Sequence, residues 1–372
     1  MNRLKRLVLL GGGHAHVHVL NALSKNRLPN VSITLISPFD RQVYSGMLPG
    51  WIAGHYDIEQ CVLPLKPLAR AADAHYLQTA ATKIDATRKQ ILCANGDLVE
   101  FDVLSIDIGS APQYAAIVGA ADHAIAIRPI ETFIEHMTTL VEVRQRRATP
   151  MHITVIGAGA GGVEVALALK HRRAELQVSL VSGANTLPGN IAPRIANALN
   201  RAGVAVFAGS PAIEIGPNNV TLADDRVIES EQTIVALGAS APSWLAMTGL
   251  ACDPSGYLVT NNFLQSISHE FVFAAGDCAS IEAYPRPKSG VYAVRAGPPL
   301  EQNLRAALTS RPLTRYVPQT RSLYLISTGN KYAIGSWGRV SWEGEWVWRW
   351  KDRIDRTFMA KYRKPGANRP IL

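Results

Sequence analysis

The sequence predicts an α/β fold with two nested, doubly wound domains and a C-terminal extension rich in aromatic residues. The first observation is a pattern of buried strand, glycine-rich turn and helix that begins at residue 7 and recurs at residue 153. This order of elements is the one that a βαβ unit requires. The second observation is the length of 372 residues, which is more than one domain usually needs.

Composition narrows the class of protein. Hydrophobic residues make up 47% of the chain and charged residues 18%, as in a globular protein with sizeable cores. A net charge of +9 suits acidic ligands, nucleic acid or an anionic membrane surface, and it also serves solubility alone. No apolar run approaches the roughly 20 residues of a spanning helix. We expect a cytoplasmic protein, with attachment to the inner face of the cell membrane as an alternative, and no nucleic-acid partner.

The spacing of cysteines and histidines indicates whether a disulfide or a metal site is to be expected. The four cysteines lie at positions 61, 93, 252 and 278, without CxxC or CxxxxC spacing, so we expect reduced thiols. His14 and His18 are one helical turn apart, which is a spacing that metal ligands use. No second cluster supplies further ligands, so we expect no metal and a packing role for these histidines.

The first motif lies almost at the N-terminus. Four apolar residues at 7–10 are typical of a buried strand, and Gly11 allows the tight turn that follows. Gly13 lets the backbone approach a pyrophosphate, and the helix after it offers free N–H groups to that anion. The stretch therefore predicts a dinucleotide-binding (Rossmann-like) unit, although His16 stands where a small residue is usual.

The second motif is complete. Gly157, Gly159 and Gly162 form a GxGxxG between an apolar strand and a helix. Two matches in one chain, each in the right context, are a far more specific signal than one. The next strand of each unit ends in a serine, Ser37 or Ser182, where an acid usually holds a ribose. The choice between NADH and NADPH therefore stays open.

A third signal is the apolar strand at 271–275, which ends in Gly276-Asp277. It places a carboxylate at the carboxyl end of a buried strand, where ligands bind in such sheets. The alternative is a β-turn in which Asp277 caps the following helix.

Together these motifs resemble the FAD-dependent pyridine nucleotide-disulfide oxidoreductase superfamily over about residues 4–310. Turns at 108–110 and 237–239 are similar to that family's two ATG turns, and residues 273–277 are similar to its second FAD motif. The resemblance implies FAD and NAD(P)H as cofactors. For FAD it implies Gly11, Gly13, His14, Ala15, Ser37, Ser45, Met47, Leu48, Ala81, Ile108, Gly109, Ser110, Gly276 and Asp277 as binding residues. For NAD(P)H it implies Gly157, Gly159, Gly162, Glu164, Ser182 and Gly238.

One segment indicates the branch of this superfamily. Residues 44–50, Tyr-Ser-Gly-Met-Leu-Pro-Gly, stand where disulfide reductases have CxxxxC. They look more like the loop beside the flavin in type II NADH dehydrogenases, including relatives that are found fused to selenide, water dikinases. The resemblance implies hydride transfer from NAD(P)H to FAD and then electron transfer to an acceptor such as a quinone. Glu164 and Lys288 are the catalytic candidates. Lys288 would be a cation beside the reduced flavin, or else a surface lysine.

The acceptor itself stays open. Type II enzymes have glutamines near the quinone on the helix after the Gly-Asp motif, and residues 288–296 contain none. Two alternatives therefore stand beside the dehydrogenase. One is a flavoprotein oxidoreductase that acts on a sulfur or selenium species, and the other is a flavin-binding partner or sensor without turnover.

The C-terminal extension carries an aromatic helix. Trp346, Trp350, Ile354 and Phe358 recur every four residues and predict one apolar stripe among cationic neighbours. Such a helix fits a membrane interface, with residues 342–364 making the contact. The alternatives are that the stripe docks on the flavin domain of the same chain or forms a homodimer interface.

These motifs also divide the chain. We expect an FAD-binding domain from residues 1–118 and 255–315 and an NAD(P)H-binding domain from residues 119–254. Residues 316–372 would then form the C-terminal extension.

Overall fold

The computed structural model describes residues 4–113, 117–143, 150–184 and 189–363. In the first of these stretches a single 3-10 turn, Ser45–Met47, precedes the second helix. The elements in chain order are β1 (Lys5–Leu10), α1 (His14–Lys25), β2 (Val31–Ile36), β3 (Arg41–Val43), α2 (Leu48–Ile52), α3 (Ile58–Cys61), β4 (Val62–Pro64), α4 (Leu65–Ala71), β5 (Ala74–Leu77), β6 (Ala81–Asp85), β7 (Gln90–Cys93), β8 (Leu98–Glu100), β9 (Val103–Ile106) and β10 (Ala111–Pro112).

The middle of the chain forms a second α/β unit. Its elements are α5 (Ala120–His123), β11 (Ala124–Ala126), α6 (Ile130–Val143), β12 (His152–Ile156), α7 (Ala160–Arg172), β13 (Gln177–Ser182), α8 (Ala192–Ala202), β14 (Ala205–Ala208), β15 (Ala212–Ile215), β16 (Asn219–Leu222), β17 (Val227–Glu229), β18 (Gln232–Val235) and β19 (Ala239–Ser240). A 3-10 turn, Ser243–Met247, follows β19.

The last part of the chain returns to the first unit and then forms the extension. Its elements are β20 (Leu258–Thr260), β21 (Val272–Ala274), β22 (Ala279–Ile281), α9 (Gly290–Leu308), β23 (Leu323–Ser327), β24 (Ala333–Trp337), β25 (Val340–Gly344) and α10 (Glu345–Arg363). A 3-10 turn, Gly276–Cys278, follows β21.

The first sheet is parallel and has the order β21-β9-β1-β2-β5. β1 lies in its middle and is buried on both faces. Leu7 and Leu9 pack into the core that contains α1 and α9, whereas Val8 and Leu10 pack into the core on the other face. This two-sided burial explains why β1 is an unbroken apolar run.

The second sheet is also parallel, with the order β11-β18-β12-β13-β14. Because β21 joins the first sheet after the whole second unit has been completed, the second unit is nested within the first. An antiparallel pair of β10 with β19 links the two. The α/β class with two nested units is thus confirmed, and the domain limits 1–118 with 255–315, 119–254 and 316–372 stay predictions.

Most of the predicted apolar stripe of the C-terminal helix is exposed, and other residues of the helix are buried. Val347, Asp355, Met359 and Tyr362 of α10 are buried. The first three members of the predicted stripe are instead exposed, at 56% for Trp346, 39% for Trp350 and 39% for Ile354.

The geometry of the helix explains this difference. Each step of four residues rotates the side chain by about 40° around the helix axis, so a stripe of four such residues turns through about a third of the circumference. Phe358, at its end, reaches the first α/β unit, where its ring stacks on Tyr44 at a centroid distance of 4.3 Å. Of the four residues of the stripe, Phe358 is therefore the one to which the docking alternative applies. Lys364, the last residue of the predicted 342–364 contact, lies outside the described residues.

Among the residues that the structure describes, no helix combines the length and apolar character needed to cross a membrane.

Candidate active site

The carboxyl ends of the strands in the first sheet open into a cleft with a volume of about 460 Å³. This volume is typical of a site that binds a small molecule or cofactor. Many of the residues that the sequence predicted for FAD line it, namely Gly11, Gly13, His14, Ser37, Ser45, Ala81, Ile108, Gly109, Ser110 and Asp277. Gly276 lies beside a smaller cavity next to Asp277. Ala15, Met47 and Leu48 are buried in the cores behind the cleft.

The two glycine motifs have the same backbone geometry. Gly11 and Gly157 have φ values of +97° and +112°, which only glycine adopts readily. A side chain at Gly11 would overlap the carbonyl of Asp107, and one at Gly157 would overlap the carbonyl of Ala236. Asp107 and Ala236 are therefore equivalent residues of the two units.

The start of α1 is capped by a residue that follows β9. Gly13 is the N-cap, and the backbone N–H groups of Ala15 and His16 donate to Oδ2 of Asp107 at 2.8 and 3.0 Å. Asp107 is 2% exposed, and burial raises the pKa of its carboxyl to about 7. Asp107 is not among the residues predicted from the sequence, although it directly precedes the Ile108 turn.

His16 has a structural role that explains its place in the motif. Its Nδ1 lies 2.6 Å from the carbonyl oxygen of Gly11, and its Nε2 lies 2.8 Å from Oγ of Ser105. The ring therefore joins the glycine turn to β9. Burial lowers the pKa of His16 to about 4, so the ring is neutral at physiological pH.

The other two N-terminal histidines also lie in packed surroundings. His14 lines the cleft, and burial lowers its pKa to about 4. Nδ1 of His18 lies 3.1 Å from the hydroxyl of Tyr362 on α10. Within the described ranges, no group of three or more histidine, cysteine or acidic side chains is placed to hold a metal ion.

An ion pair crosses the cleft. Nη1 of Arg128 donates to Oδ2 of Asp277 at 2.6 Å and also to the hydroxyl of Ser110. Arg128 lies between β11 and α6, so the second unit supplies a cation to residues of the first. Arg128 was not predicted from the sequence, because nothing local indicates that this residue returns to the cleft.

The second motif opens α7. Its N-cap is Gly159, and the backbone carbonyl of Gly157 lies where a side chain at Gly162 would project. Ser182 ends β13 and is buried, and Gly238 lies beside Gln113. These residues hold the positions expected for a dinucleotide site, and their contacts with NAD(P)H stay a prediction.

Glu164 lies at the junction with the C-terminal extension. Its Oε1 accepts the backbone N–H of Ser327 at 2.8 Å, and burial raises its pKa to about 7. The positive charge of Lys351, on α10, acts to lower the pKa of Glu164. Glu164 is therefore near the extension and is absent from the residues that line the large cleft.

Lys351 forms the centre of a buried polar cluster. Its Nζ donates to the carbonyl of Gly46 and to Oδ2 of Asp355 at 2.7 Å, and Oδ1 of Asp355 accepts the Tyr44 hydroxyl at 3.1 Å. Burial opposes the ammonium charge, but the carboxylates of Asp355 and Glu164 hold the pKa of Lys351 above its ordinary value. The sequence pattern indicated Lys351 only as one of the cations of the helix.

Lys288 lies outside the large cleft. Its ammonium group donates to the carbonyl of Ala279 and lies 4.1 Å from the ring centroid of Tyr257, and burial lowers its pKa. Its role as a cation beside the flavin stays a prediction, whereas Arg128 is a cation that does line the cleft.

Comparison with known proteins identifies the family. Residues 5–297 match the family model described as pyridine nucleotide-disulphide oxidoreductase. The chain is 25% identical over 342 residues to the NADH dehydrogenase-like protein YutJ of Bacillus subtilis, covering 89% of this chain and 92% of that one. It is 22% identical over 362 residues to a type II NADH:quinone oxidoreductase of Staphylococcus aureus, covering 89% and 88%.

A solved structure shows the same fold. The sulfide:quinone oxidoreductase of Aquifex aeolicus matches with a TM-score of 0.80 at 18% identity, covering 96% of this chain and 91% of that one. The family match, which spans most of the chain, confirms the predicted superfamily and the class of NAD(P)H-dependent flavoprotein oxidoreductase with FAD and NAD(P)H as cofactors. The chain therefore belongs to the pyridine nucleotide-disulphide oxidoreductase family.

Proposed function

We propose that this protein is an FAD-dependent NAD(P)H dehydrogenase that passes electrons from NAD(P)H through FAD to a quinone. The observation that carries the proposal is the pair of nested units with equivalent glycine motifs, the first of which opens into the large cleft. The relative named as NADH dehydrogenase-like protein supports the same donor, and the relative named as type II NADH:quinone oxidoreductase supports the same donor and acceptor.

The residues of the cleft fit FAD. The cleft runs from the start of α1, where Gly13 allows close approach, to the carboxylate of Asp277. In this proposal Asp277 binds the ribityl hydroxyls, and Arg128 holds that carboxylate and adds positive charge. Bound FAD would supply the hydride-accepting chemistry, while the chain binds and orients the two nucleotides and excludes water.

The cysteines do not support a sulfur or selenium mechanism. Burial raises the pKa of both Cys61 and Cys278 to about 12, so these thiols stay protonated at physiological pH. Cys278, which follows Asp277, is fully buried. A quinone, which needs no thiolate, is therefore the acceptor that we propose.

A comparison of acceptors tests this proposal. Holoprotein reduced anaerobically with NADH is mixed with a short-chain ubiquinone analogue or with a persulfide, and flavin reoxidation is followed. We expect complete reoxidation by the quinone within seconds and none by the persulfide. Reoxidation by the persulfide alone would reject the quinone and support the sulfur alternative.

We further propose that the extension attaches the protein to a membrane surface. The exposed side chains of Val340, Trp346, Trp350 and Ile354 form what we call the aromatic face. Trp342, on the strand of Val340, stacks on Trp350 at a centroid distance of 6.5 Å, which brings this strand against the helix. Aromatic residues among cations are typical of helices that lie in the interface of a bilayer.

Removal of three members of the aromatic face is expected to weaken membrane binding. The triple variant W346S/W350S/I354S should bind anionic vesicles at least about tenfold less tightly in a flotation assay, because it loses apolar area that would be buried in lipid. Val227→Ser, which changes an exposed apolar residue of another surface, is the control. Unchanged binding of the triple variant would exclude this contact. Loss of a dimer in gel filtration would instead indicate a homodimer interface.

A further inference from the structure

Asp107 occupies the place that a dinucleotide motif normally offers to phosphate. Its carboxyl group lies against Gly13 and Gly276, so closely that a methyl group at either glycine would overlap it. Its Oδ2 accepts two N–H groups from the first turn of α1. Close approach at the second glycine and N–H groups at a helix start are the two features by which such motifs hold a pyrophosphate.

The second unit of the same chain provides an internal comparison. Its equivalent residue is Ala236, which has no carboxyl group, and a Cβ at Gly159, the N-cap of α7, would meet no atom of the described residues within 4 Å. A carboxyl group at this position of the motif is thus found in the first unit only. The chain places a carboxyl group of its own on the helix that is expected to receive the FAD pyrophosphate.

The charges around Asp107 do not neutralise it. Arg128 lines the same cleft but is bound to Asp277, whose negative charge acts on Asp107. His16, whose N–H binds Asp107, has a neutral ring, and Cys278 has a protonated thiol.

The other charged residues that line the cleft do not neutralise Asp107 either. Of the described residues in that lining, the acids are Asp107, Glu131 and Asp277, and the bases are Arg41 and Arg128. Arg41 already pairs with Asp40 at 2.8 Å, and the ring of His14 is neutral. A pyrophosphate that carries two negative charges would therefore enter a cleft in which acids outnumber bases.

We propose that Asp107 positions the pyrophosphate of FAD as a neutral acid, so that FAD binding takes up one proton from solvent at Asp107. The protonated carboxyl keeps Oδ2 as acceptor for α1 and gains an O–H that can donate to a phosphate oxygen. The raised pKa of Asp107, about 7, agrees with this role, since the proton is already partly bound at neutral pH. The inference rests on the assignment of the cleft to FAD.

The test is the pH dependence of FAD affinity. FAD release from the diluted full-length holoprotein is measured by flavin fluorescence from about pH 6 to about pH 8.5. Above pH 7 the dissociation constant should rise by up to about tenfold per pH unit, because the ionised acid must first be protonated. Asp107→Asn should bind FAD with little dependence on pH, because one amide oxygen can accept both N–H groups from α1.

A second measurement makes the test independent of the variant. Calorimetric titration of flavin-depleted protein with FAD at about pH 8, in two buffers of different ionisation enthalpy, should show uptake of close to one proton. An affinity independent of pH, an equal pH slope in D107N, or no proton uptake would each overturn the inference. Failure of wild-type protein to bind FAD at any pH would instead reject the assignment of the cleft.

Discussion

Replacement of Lys351 by Met is expected to lower the free energy of unfolding by about 3–5 kcal/mol. The Lys351 side chain is 12% exposed and that of Asp355 is 5% exposed, so water cannot replace the lost ammonium group. The variant would leave the Asp355 carboxylate and the Gly46 carbonyl without this donor, and would remove a positive charge near Glu164. Urea unfolding of FAD-saturated protein measures the effect.

Two further variants test whether the loss of stability comes from the buried Lys351–Asp355 pair or from any substitution on α10. Arg349 pairs with Glu345 on the exposed side of α10, with side chains 74% and 69% exposed. Arg349→Met should therefore cost no more than about 0.5 kcal/mol. The double variant K351M/D355L, which replaces the pair with apolar groups, should recover much of the loss. If K351M unfolds within about 1 kcal/mol of wild type, the buried cluster does not hold α10 in place.

The cluster also connects the extension with the cleft. Lys351 binds the carbonyl of Gly46, and the preceding residue, Ser45, lines the cleft. On the same side, Phe358 stacks on Tyr44, and the ring centroid of His14 lies 5.8 Å from that of Tyr44. We therefore expect K351M to weaken FAD binding as well as to destabilise the fold.

Replacement of Arg128 by Met is expected to weaken FAD binding by about 10- to 100-fold. Its hydrogen bond to Asp277 is charged and partly buried, and a bond of that kind contributes about 1.5–3 kcal/mol. Without Arg128 the acids of the cleft would face the pyrophosphate with one cation fewer. The dissociation constant of FAD, measured by flavin fluorescence, reports the change.

Matched variants decide whether the charge of Arg128 or the geometry of its guanidinium group accounts for the loss of FAD affinity. Arg128→Lys keeps the charge but loses the planar guanidinium, so it should recover part of the affinity. In the double variant R128M/D277N the two effects should not add, because the residues are bonded to each other. Simple additivity, or an R128M affinity equal to wild type, would show that the ion pair does not act on FAD.

The sequence was sufficient to predict the α/β fold and its two glycine motifs. Both glycine motifs and the Gly276-Asp277 turn are local patterns, set by φ angles and by apolar runs of a few residues. Such patterns can be read without knowledge of distant contacts, and most of the residues that they indicated for FAD line the cleft.

The residues that the sequence analysis missed act over long distances along the chain. Arg128 binds Asp277, 149 positions away, and Lys351 binds Gly46, 305 positions away. Asp107 reaches Ala15 across 92 positions. None of these pairs leaves a local signature, because the partners meet only when the sheets and α10 have assembled. For the same reason, periodicity alone did not identify the buried face of α10.

The most direct test of the proposed function is an anaerobic titration of purified holoprotein with NADH and, separately, with NADPH. The oxidised flavin absorbs at about 450 nm, and we predict that close to one equivalent of at least one donor bleaches this band. The Gly159→Asp variant, which puts a carboxylate at the start of α7, should retain the flavin spectrum and lose most of the bleaching. An oxidised flavin spectrum that persists with both donors would contradict the assignment of this protein as an NAD(P)H dehydrogenase.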